Sequence, residues 1–152
     1  MKILGLSFSK ISGEKKEEFQ SSDINTNIQF IDLKKEDSSL IKDSESFKLK
    51  YSFSIDYFSN KDTQSKKKNN EKKASLVFEG NIFIATSGDE SKELLKQWKK
   101  KQIASIAKLS LYNYILRKCS IKAVPLQEEL NLPTHVRLPQ LQQTDNSVNS
   151  IN

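Results

Sequence analysis

Apolar and polar residues alternate strictly over residues 47–57, and this pattern constrains the fold more than any other feature of the chain. Alternation with a period of two is typical of a β-strand that presents one face to a core and the other to solvent. Such a strand belongs to an antiparallel sheet covered on one side, because the strands of a parallel sheet are apolar on both faces. The apolar face consists of Phe47, Leu49, Tyr51, Phe53, Ile55 and Tyr57, and the polar face of Lys48, Lys50, Ser52, Ser54 and Asp56.

Three further segments have the character of strands. Residues 3–11 alternate, residues 28–33 are apolar but less regularly phased, and residues 75–85 alternate around Gly80. A glycine inside a strand predicts a bulge or a bend at that point. The polar residues 59–74 have nothing to bury, and they predict a loop between the third and fourth strands.

A short helix is predicted directly after the last strand. Ser87 and Glu90 have the spacing of a capping box, which satisfies two backbone N–H groups at the start of a helix. The helix that follows is expected to bury Leu94, Leu95 and Trp98.

A second, longer helix begins near Ile103 and continues at least to Ala123. Its apolar residues cover most of its circumference, which is typical of a helix that is buried on more than one side. The sheet covers only one side, and a second layer is most simply supplied by another copy of the chain. The predicted oligomer interface consists of Ile103, Ala107, Leu111 and Tyr114.

These segments predict an α+β fold, with a four-stranded antiparallel sheet followed by a short and a long helix. Pro125 either kinks the long helix or opens a new short one. Residues 132–139 are expected to be extended, since a residue that precedes proline avoids the helical region. We expect one domain over residues 1–141 and a disordered C-terminal tail over residues 142–152.

The charge balance keeps nucleic acid among the candidate partners. The chain has 152 residues and a formal net charge of +6, and only Arg117 and Arg137 among its 25 basic residues are arginines. A solvated lysine-rich surface is the favoured interpretation, because nucleic-acid readers usually rely on arginine for bidentate contacts. The Lys-rich loop at 61–73 is the candidate nucleic-acid contact, although it lacks the aromatic residues on which single-strand binders stack bases.

Cysteine usage and hydropathy indicate a cytoplasmic protein. Cys119 is the single cysteine, so an intramolecular disulfide is impossible, which fits a reducing compartment. No apolar run approaches the roughly 18 residues that a transmembrane helix needs. Residues 1–6 are too short an apolar start for a signal peptide.

The sequence contains no recognisable catalytic, cofactor or metal motif. Phosphate-binding glycine loops, paired zinc ligands and hydrolase nucleophile motifs do not occur. We interpret His135, the single histidine, as structural or solvated, and Cys119 as a small core residue. The chain is therefore expected not to be an enzyme and to bind no metal ion or cofactor.

The order of the elements resembles that of the SecB-type export chaperones, and particularly that of their archaeal SecB-like relatives. Both have four strands, a short helix, a long helix and an extended tail that contains prolines. The resemblance covers most of residues 3–141. It is carried by residues 78–84 (FEGNIFI), by the LKQWK segment around Trp98, by residues 116–119 (LRKC) in the long helix, and by residues 130–133 (LNLP) leading to Leu138 and Pro139.

The resemblance implies a homo-oligomer, a dimer or a tetramer, that binds unfolded polypeptides in apolar grooves without ATP and serves protein export. Burial of apolar side chains and pairing with exposed strand edges would carry the binding, with weak sequence preference. The groove is placed where the tail meets the long helix, and the alternative that the tail packs on its own sheet stays open. The candidate groove residues are Leu126, Leu132, Pro133, Val136, Leu138 and Leu141.

A nucleic-acid-binding protein that acts through the loop at 61–73 is the alternative hypothesis. It differs from the first in predicting an affinity that falls steeply with salt concentration.

Overall fold

The computed structural model describes residues 1–37, 43–59, 71–144 and 147–149. It confirms the predicted α+β fold, a four-stranded antiparallel sheet followed by a short and a long helix. The elements are β1 (Lys2–Lys15), β2 (Ser21–Glu36), β3 (Glu45–Ser59), β4 (Lys72–Thr86), α1 (Gly88–Lys99), α2 (Ser105–Glu129), β5 (Gln142–Thr144) and β6 (Ser147–Asn149).

The sheet has the strand order β1-β4-β3-β2, so β3 and β4 are central and β1 and β2 form its edges. The alternating face of β3 is buried from Phe47 to Tyr57, as predicted, and the same holds for every second residue of β4 from Ala74 to Thr86. The helices cover this face, and the opposite face of the central strands is mostly polar but includes Val77 and Phe83. The central pair of strands therefore supplies most of the core.

The strands are longer than their apolar patterns indicate. β2 starts at Ser21 and ends at Glu36, whereas the apolar pattern predicted residues 28–33. The reason is that backbone pairing with β3 continues beyond the apolar segment and needs no side-chain pattern. Most of the loop predicted at 59–74, and of its Lys-rich part at 61–73, lies outside the described residues, but β4 already begins at Lys72.

A bulge lies opposite Gly80 rather than at it. The register of β1 against β4 shifts between Phe8 and Lys10, which leaves Ser9 as the extra residue. A Cβ atom at Gly80 would lie 1.9 Å from the carbonyl oxygen of Ser7. Gly80 is therefore required because the backbone of β1 crosses close above it.

The helix α2 continues through Pro125 to Glu129 instead of ending or restarting there. Proline inside a helix removes one backbone hydrogen bond and costs about 3 kcal/mol or more. Residues on the far side of Pro125 offset that cost. Leu126 packs against the core, and the fully buried Gln127 donates a hydrogen bond to the Tyr57 hydroxyl at 2.7 Å.

The close approach at Gly80 generates a stability prediction. We expect Gly80→Ala to lower the free energy of unfolding by about 2–3 kcal/mol, because the methyl group would meet backbone that cannot move without breaking strand pairing. Urea denaturation measures the change. Gly5→Ala is the control, since a Cβ atom at this β1 glycine meets nothing within 4 Å. Equal effects of the two substitutions would contradict the assignment.

Candidate functional site

The predicted oligomer-interface residues fall into two groups. Leu111 is fully buried against the chain's own sheet, together with Ile115, Cys119 and Ala123 at steps of four residues. It is therefore a core residue here, and a second copy cannot reach it while this packing persists. Ile103, Ala107 and Tyr114 are only half-buried.

The outward side of α2 carries apolar residues that the prediction did not single out. Ile106, Leu109 and Ile121 are 84%, 60% and 66% exposed. Leu109 lies two residues from the buried Leu111, and Ile121 lies two residues from the buried Cys119 and Ala123. Two residues correspond to about 200° around a helix, so both side chains lie on the side away from the sheet. The sequence contained this signal as the apolar circumference of the helix, but not which side faces the sheet.

The predicted groove residues are divided in the same way. Leu132 is 7% exposed and belongs to the core, so it is not available to a client in this conformation. Leu126 and Val136 are half-buried. Pro133, Leu138 and Leu141 are exposed. The tail thus packs partly on its own domain.

A buried polar network holds the tail in place. The Tyr57 hydroxyl donates to the carbonyl oxygen of Pro133 at 2.7 Å, so its oxygen is free to accept the Gln127 amide N–H at 2.7 Å. The same amide nitrogen lies 2.9 Å from Nδ1 of His135. His135 Nε2 lies 3.0 Å from the hydroxyl of Ser120 on α2.

The polarity of this network does not favour activation of Ser120 as a nucleophile. Because Gln127 donates to Nδ1 of His135, the imidazole proton lies on Nε2 and is directed at the Ser120 hydroxyl. A general base would have to accept the serine proton with that nitrogen. Burial also lowers the pKa of His135, which favours the neutral ring. His135 links α2 to the tail through Ser120 and Gln127, and its short distance to Ser120 does not by itself make it a catalytic partner.

Cys119 and Tyr51 face each other in the core. Burial raises the pKa of the Cys119 thiol to about 11, and burial raises the pKa of the Tyr51 hydroxyl as well. A thiol with a raised pKa that is fully buried forms little thiolate and is a poor nucleophile. The interpretation of Cys119 as a core residue agrees with this environment.

An open cleft of about 660 Å³ lies where the edge strand β2 meets the junction of α1 and α2. Neither its position nor most of its residues were predicted from the sequence, because the residues come from segments about 70 positions apart. The lining residues are Phe30, Ile31, Asp32, Trp98, Lys99, Lys101, Ile103 and Lys108.

A bulge in β2 forms one wall of this cleft. The pairing of β2 with β3 shifts register between Phe30 and Asp32, so that Ile31 is the extra residue. A bulge disrupts the ladder and redirects a side chain, and Ile31 is accordingly 46% exposed at the cleft. The irregular phase of residues 28–33 was the only signal of this wall in the sequence.

Aromatic packing fixes the floor. The ring of Phe30 lies 5.1 Å from the ring of Tyr112 on α2, measured between centroids. Nζ of Lys108 lies 5.4 Å from the centroid of Tyr112. The half-buried Trp98 packs against the core and also lines the cleft. An aromatic contact therefore joins the edge strand to α2 at this point.

The cleft has a cationic rim. Lys99, Lys101 and Lys108 line it together with a single carboxylate, Asp32. That carboxylate has its own cation, since Nζ of Lys34 lies 3.5 Å from it. The cleft thus combines an apolar floor with an excess of positive charge.

Lys101 has an unusual backbone conformation. Its φ is 54°, in the left-handed region, and it ends α1 with hydrogen bonds from Lys101 N–H to Trp98 and from Gln102 N–H to Gln97. This arrangement is a Schellman motif, in which glycine or asparagine usually has positive φ. Asn131 has that role at the end of α2. A lysine is less favourable in this conformation, and it lies on the rim of the cleft.

Comparisons with known protein families, with curated proteins and with solved structures find no significant match. Over the described ranges, no group of three or more His, Cys, Asp or Glu residues could hold a metal ion. No helix in the same ranges combines the length and the apolar character that crossing a bilayer requires.

The lowered pKa of His135 predicts a pH dependence of stability. The unfolded chain takes up a proton at this residue near pH 6.5, while the folded chain resists it, so the free energy of unfolding should fall as the pH drops below about 6.5. Chemical denaturation between pH 8 and pH 5 measures the slope, and His135→Gln should flatten it. The carboxylates with lowered pKa, Glu45 and Glu90, titrate below this window. An unchanged slope in the variant would contradict the prediction.

Proposed function

We propose that this protein is an ATP-independent holdase chaperone that binds unfolded polypeptide segments, as the resemblance to SecB-like proteins implies. The observation that best supports the proposal is the open, apolar-floored cleft beside the edge strand β2. A cleft of this kind offers a place for client side chains, and an edge strand offers unpaired backbone groups. We place the protein in the cytoplasm, and export of its clients is part of the proposal.

The dimensions of the cleft suit weak and reversible binding. Burial of one large apolar side chain contributes about 1.5–3 kcal/mol, and a space of about 660 Å³ admits only a few such side chains. Ordering an unfolded client opposes this gain. A single cleft therefore binds loosely, which allows a client to leave and fold. Several clefts in one assembly would raise the avidity.

An assembly of two or four copies is the second part of the proposal. Its support is the outward side of α2, where Ile106, Leu109 and Ile121 are exposed in the single chain. Three large aliphatic side chains on one helix favour a covering partner over water. Another copy of the chain is the simplest one, since it is always present at the same concentration.

The nucleic-acid alternative rests on residues 61–73, and most of them lie outside the described part of the chain. On the sheet, several lysines are already paired with carboxylates. Lys35 lies 3.0 Å from Glu45, and Lys72 lies 3.6 Å from Asp56. The basic charge of the sheet is thus largely compensated locally, which favours the polypeptide-binding proposal.

The proposed assembly has a direct test. We expect a mass of two or four times 17.4 kDa in sedimentation equilibrium, and a shift towards 17.4 kDa for the double variant Leu109→Ser/Ile121→Ser, because it removes exposed apolar surface without touching the core. Leu138→Ser removes a tail side chain that is 46% exposed and should leave the mass unchanged. A wild-type mass of 17.4 kDa would refute the assembly.

Holdase action is tested by light scattering from a chemically unfolded model protein that aggregates on dilution, without ATP. We expect the wild type to suppress scattering at low and at high salt. Ile31→Ser should require about fivefold more protein for the same suppression, because the cleft loses part of its apolar wall.

The matched control for this assay is Ile11→Ser. Ile11 lies on the other edge strand, β1, and is 45% exposed, against 46% for Ile31. Equal losses for the two variants would move the binding site away from the cleft. No suppression by the wild type would refute holdase action, and suppression that disappears at high salt would favour the basic nucleic-acid-binding alternative.

A further inference from the structure

We propose that the cleft selects client segments in which an apolar side chain is flanked by aspartate or glutamate. This inference rests on the proposed function and adds the chemistry of the preferred client. The observation that supports the inference is the contrast between the apolar floor of the cleft and the three lysines on the rim of the cleft.

The rim lysines have no ion-pair partner among the described residues, unlike several lysines of the sheet. Over the described residues, no carboxylate lies within 4.0 Å of Nζ of Lys99, Lys101 or Lys108, whereas lysines of β2 and β3 such as Lys35 and Lys48 do have such partners. The one carboxylate of the cleft, Asp32, is close to Lys34. The positive charge of the rim therefore remains available to a ligand.

The three lysines border the floor from two elements. Lys99 and Lys101 come from the end of α1, and Lys108 comes from the first turn of α2. Trp98 directly precedes Lys99, Ile103 lies between Lys101 and Lys108 along the chain, and both line the same cleft. An apolar anchor bound on this floor would have cations on either side, within reach of acidic residues that flank it.

The start of α2 adds to the same potential. Its N-cap is Ala104, which has no side-chain cap, and its first turn contains no acidic residue. Most helices compensate their N-terminal N–H groups with such residues. This end of α2 lies beside the cleft, since Ile103 and Lys108 line it on either side of Ala104. A client carboxylate would supply the missing negative charge.

The backbone conformation of Lys101 supports the same inference. Glycine is the usual residue for a left-handed position that closes a helix, yet this chain has a lysine there. Backbone conformations that cost free energy tend to occur where a side chain is needed for a function. Here the unfavourable conformation brings a cation to the rim of the cleft.

A polypeptide fits the cleft better than a single-stranded nucleic acid does. The rings of Phe30 and Tyr112 pack against each other and are half-buried, so they offer no free stacking platform for bases. Ile31 and Ile103 are aliphatic, and the rim contains no arginine. Strand β2 has no neighbour on its outer side among the described strands, and it can pair with an extended peptide backbone.

The test is fluorescence anisotropy with the full-length protein and three labelled ten-residue peptides. The peptides share a central Leu-Phe pair, flanked by Asp and Glu, by Gln, or by Lys and Arg. We expect the acidic peptide to bind about tenfold more tightly than the Gln peptide at low salt, and the basic peptide to bind most weakly. Tighter binding of the basic peptide than of the acidic one would overturn the inference.

Charge-matched variants locate the effect. Lys99→Gln/Lys108→Gln should remove the preference for the acidic peptide over the Gln peptide. Lys10→Gln/Lys50→Gln removes the same charge from exposed strand residues that do not line the cleft, and the preference should persist. Equal losses in the two double variants would assign the preference to net charge and overturn the inference.

Lys101→Gly separates binding from stability. We expect a thermal midpoint that is unchanged or a few degrees higher, because glycine suits the left-handed position, together with a reduced preference for the acidic peptide. A lower midpoint, or an unchanged preference, would remove Lys101 from the inference.

Three further outcomes distinguish a failure of this inference from a failure of the proposed function. Equal binding of all three peptides, weakened by Ile31→Ser, would refute the acidic preference and retain the polypeptide-binding cleft. No binding of any peptide would refute both. Displacement of the acidic peptide by a single-stranded oligothymidylate at lower concentration than by unlabelled peptide would replace the polypeptide with nucleic acid as the occupant.

Discussion

Burial of one face of the β3–β4 pair is the constraint on which the rest of the structure depends. Every second side chain of β3 from Phe47 to Tyr57 is almost completely removed from water. A two-stranded ribbon cannot protect such a face, so it needs helices above it. Helix α2 covers the face with a stripe of buried residues at steps of four, from Leu111 to Ala123. Gln127 then extends the contact past Pro125 through its hydrogen bond to Tyr57.

The edges of the sheet are where its regularity ends and its surface features begin. In β1, the bulge at Ser9 lies where the β1 backbone comes so close to β4 that residue 80 has to be a glycine. In β2, the bulge at Ile31 opens one wall of the cleft. Bulges are local and cost little in a long antiparallel ladder. The same ladder that fixes the core can therefore carry an irregular edge with a different chemistry.

Features that depend on a local sequence pattern could be predicted, whereas features that form only where distant segments of the chain meet could not. The alternation over residues 47–57 and the capping box at Ser87 were sufficient for the central strand and for the start of α1. Pro125 left open a kinked helix or a new short one, and the continuity of α2 to Glu129 excludes the new helix. The hydrogen bonds of His135 could be recognised only once the positions of Ser120 and Gln127 were known. The cleft joins residues near position 31 to residues near position 100, and no periodicity predicts that contact.

The arrangement along α2 links the two parts of the proposed function physically. Lys108 lines the cleft, and the next residue, Leu109, belongs to the outward side that a second copy would cover. The two residues are neighbours on the helix, about 100° apart around its axis, so the cleft and the outward side adjoin there. A partner seated on the outward side would border the cleft and exclude water from one of its flanks. Client binding would then be thermodynamically coupled to assembly, so that each would strengthen the other. A monomeric variant would on this argument bind the same peptides through the same residues, but more weakly.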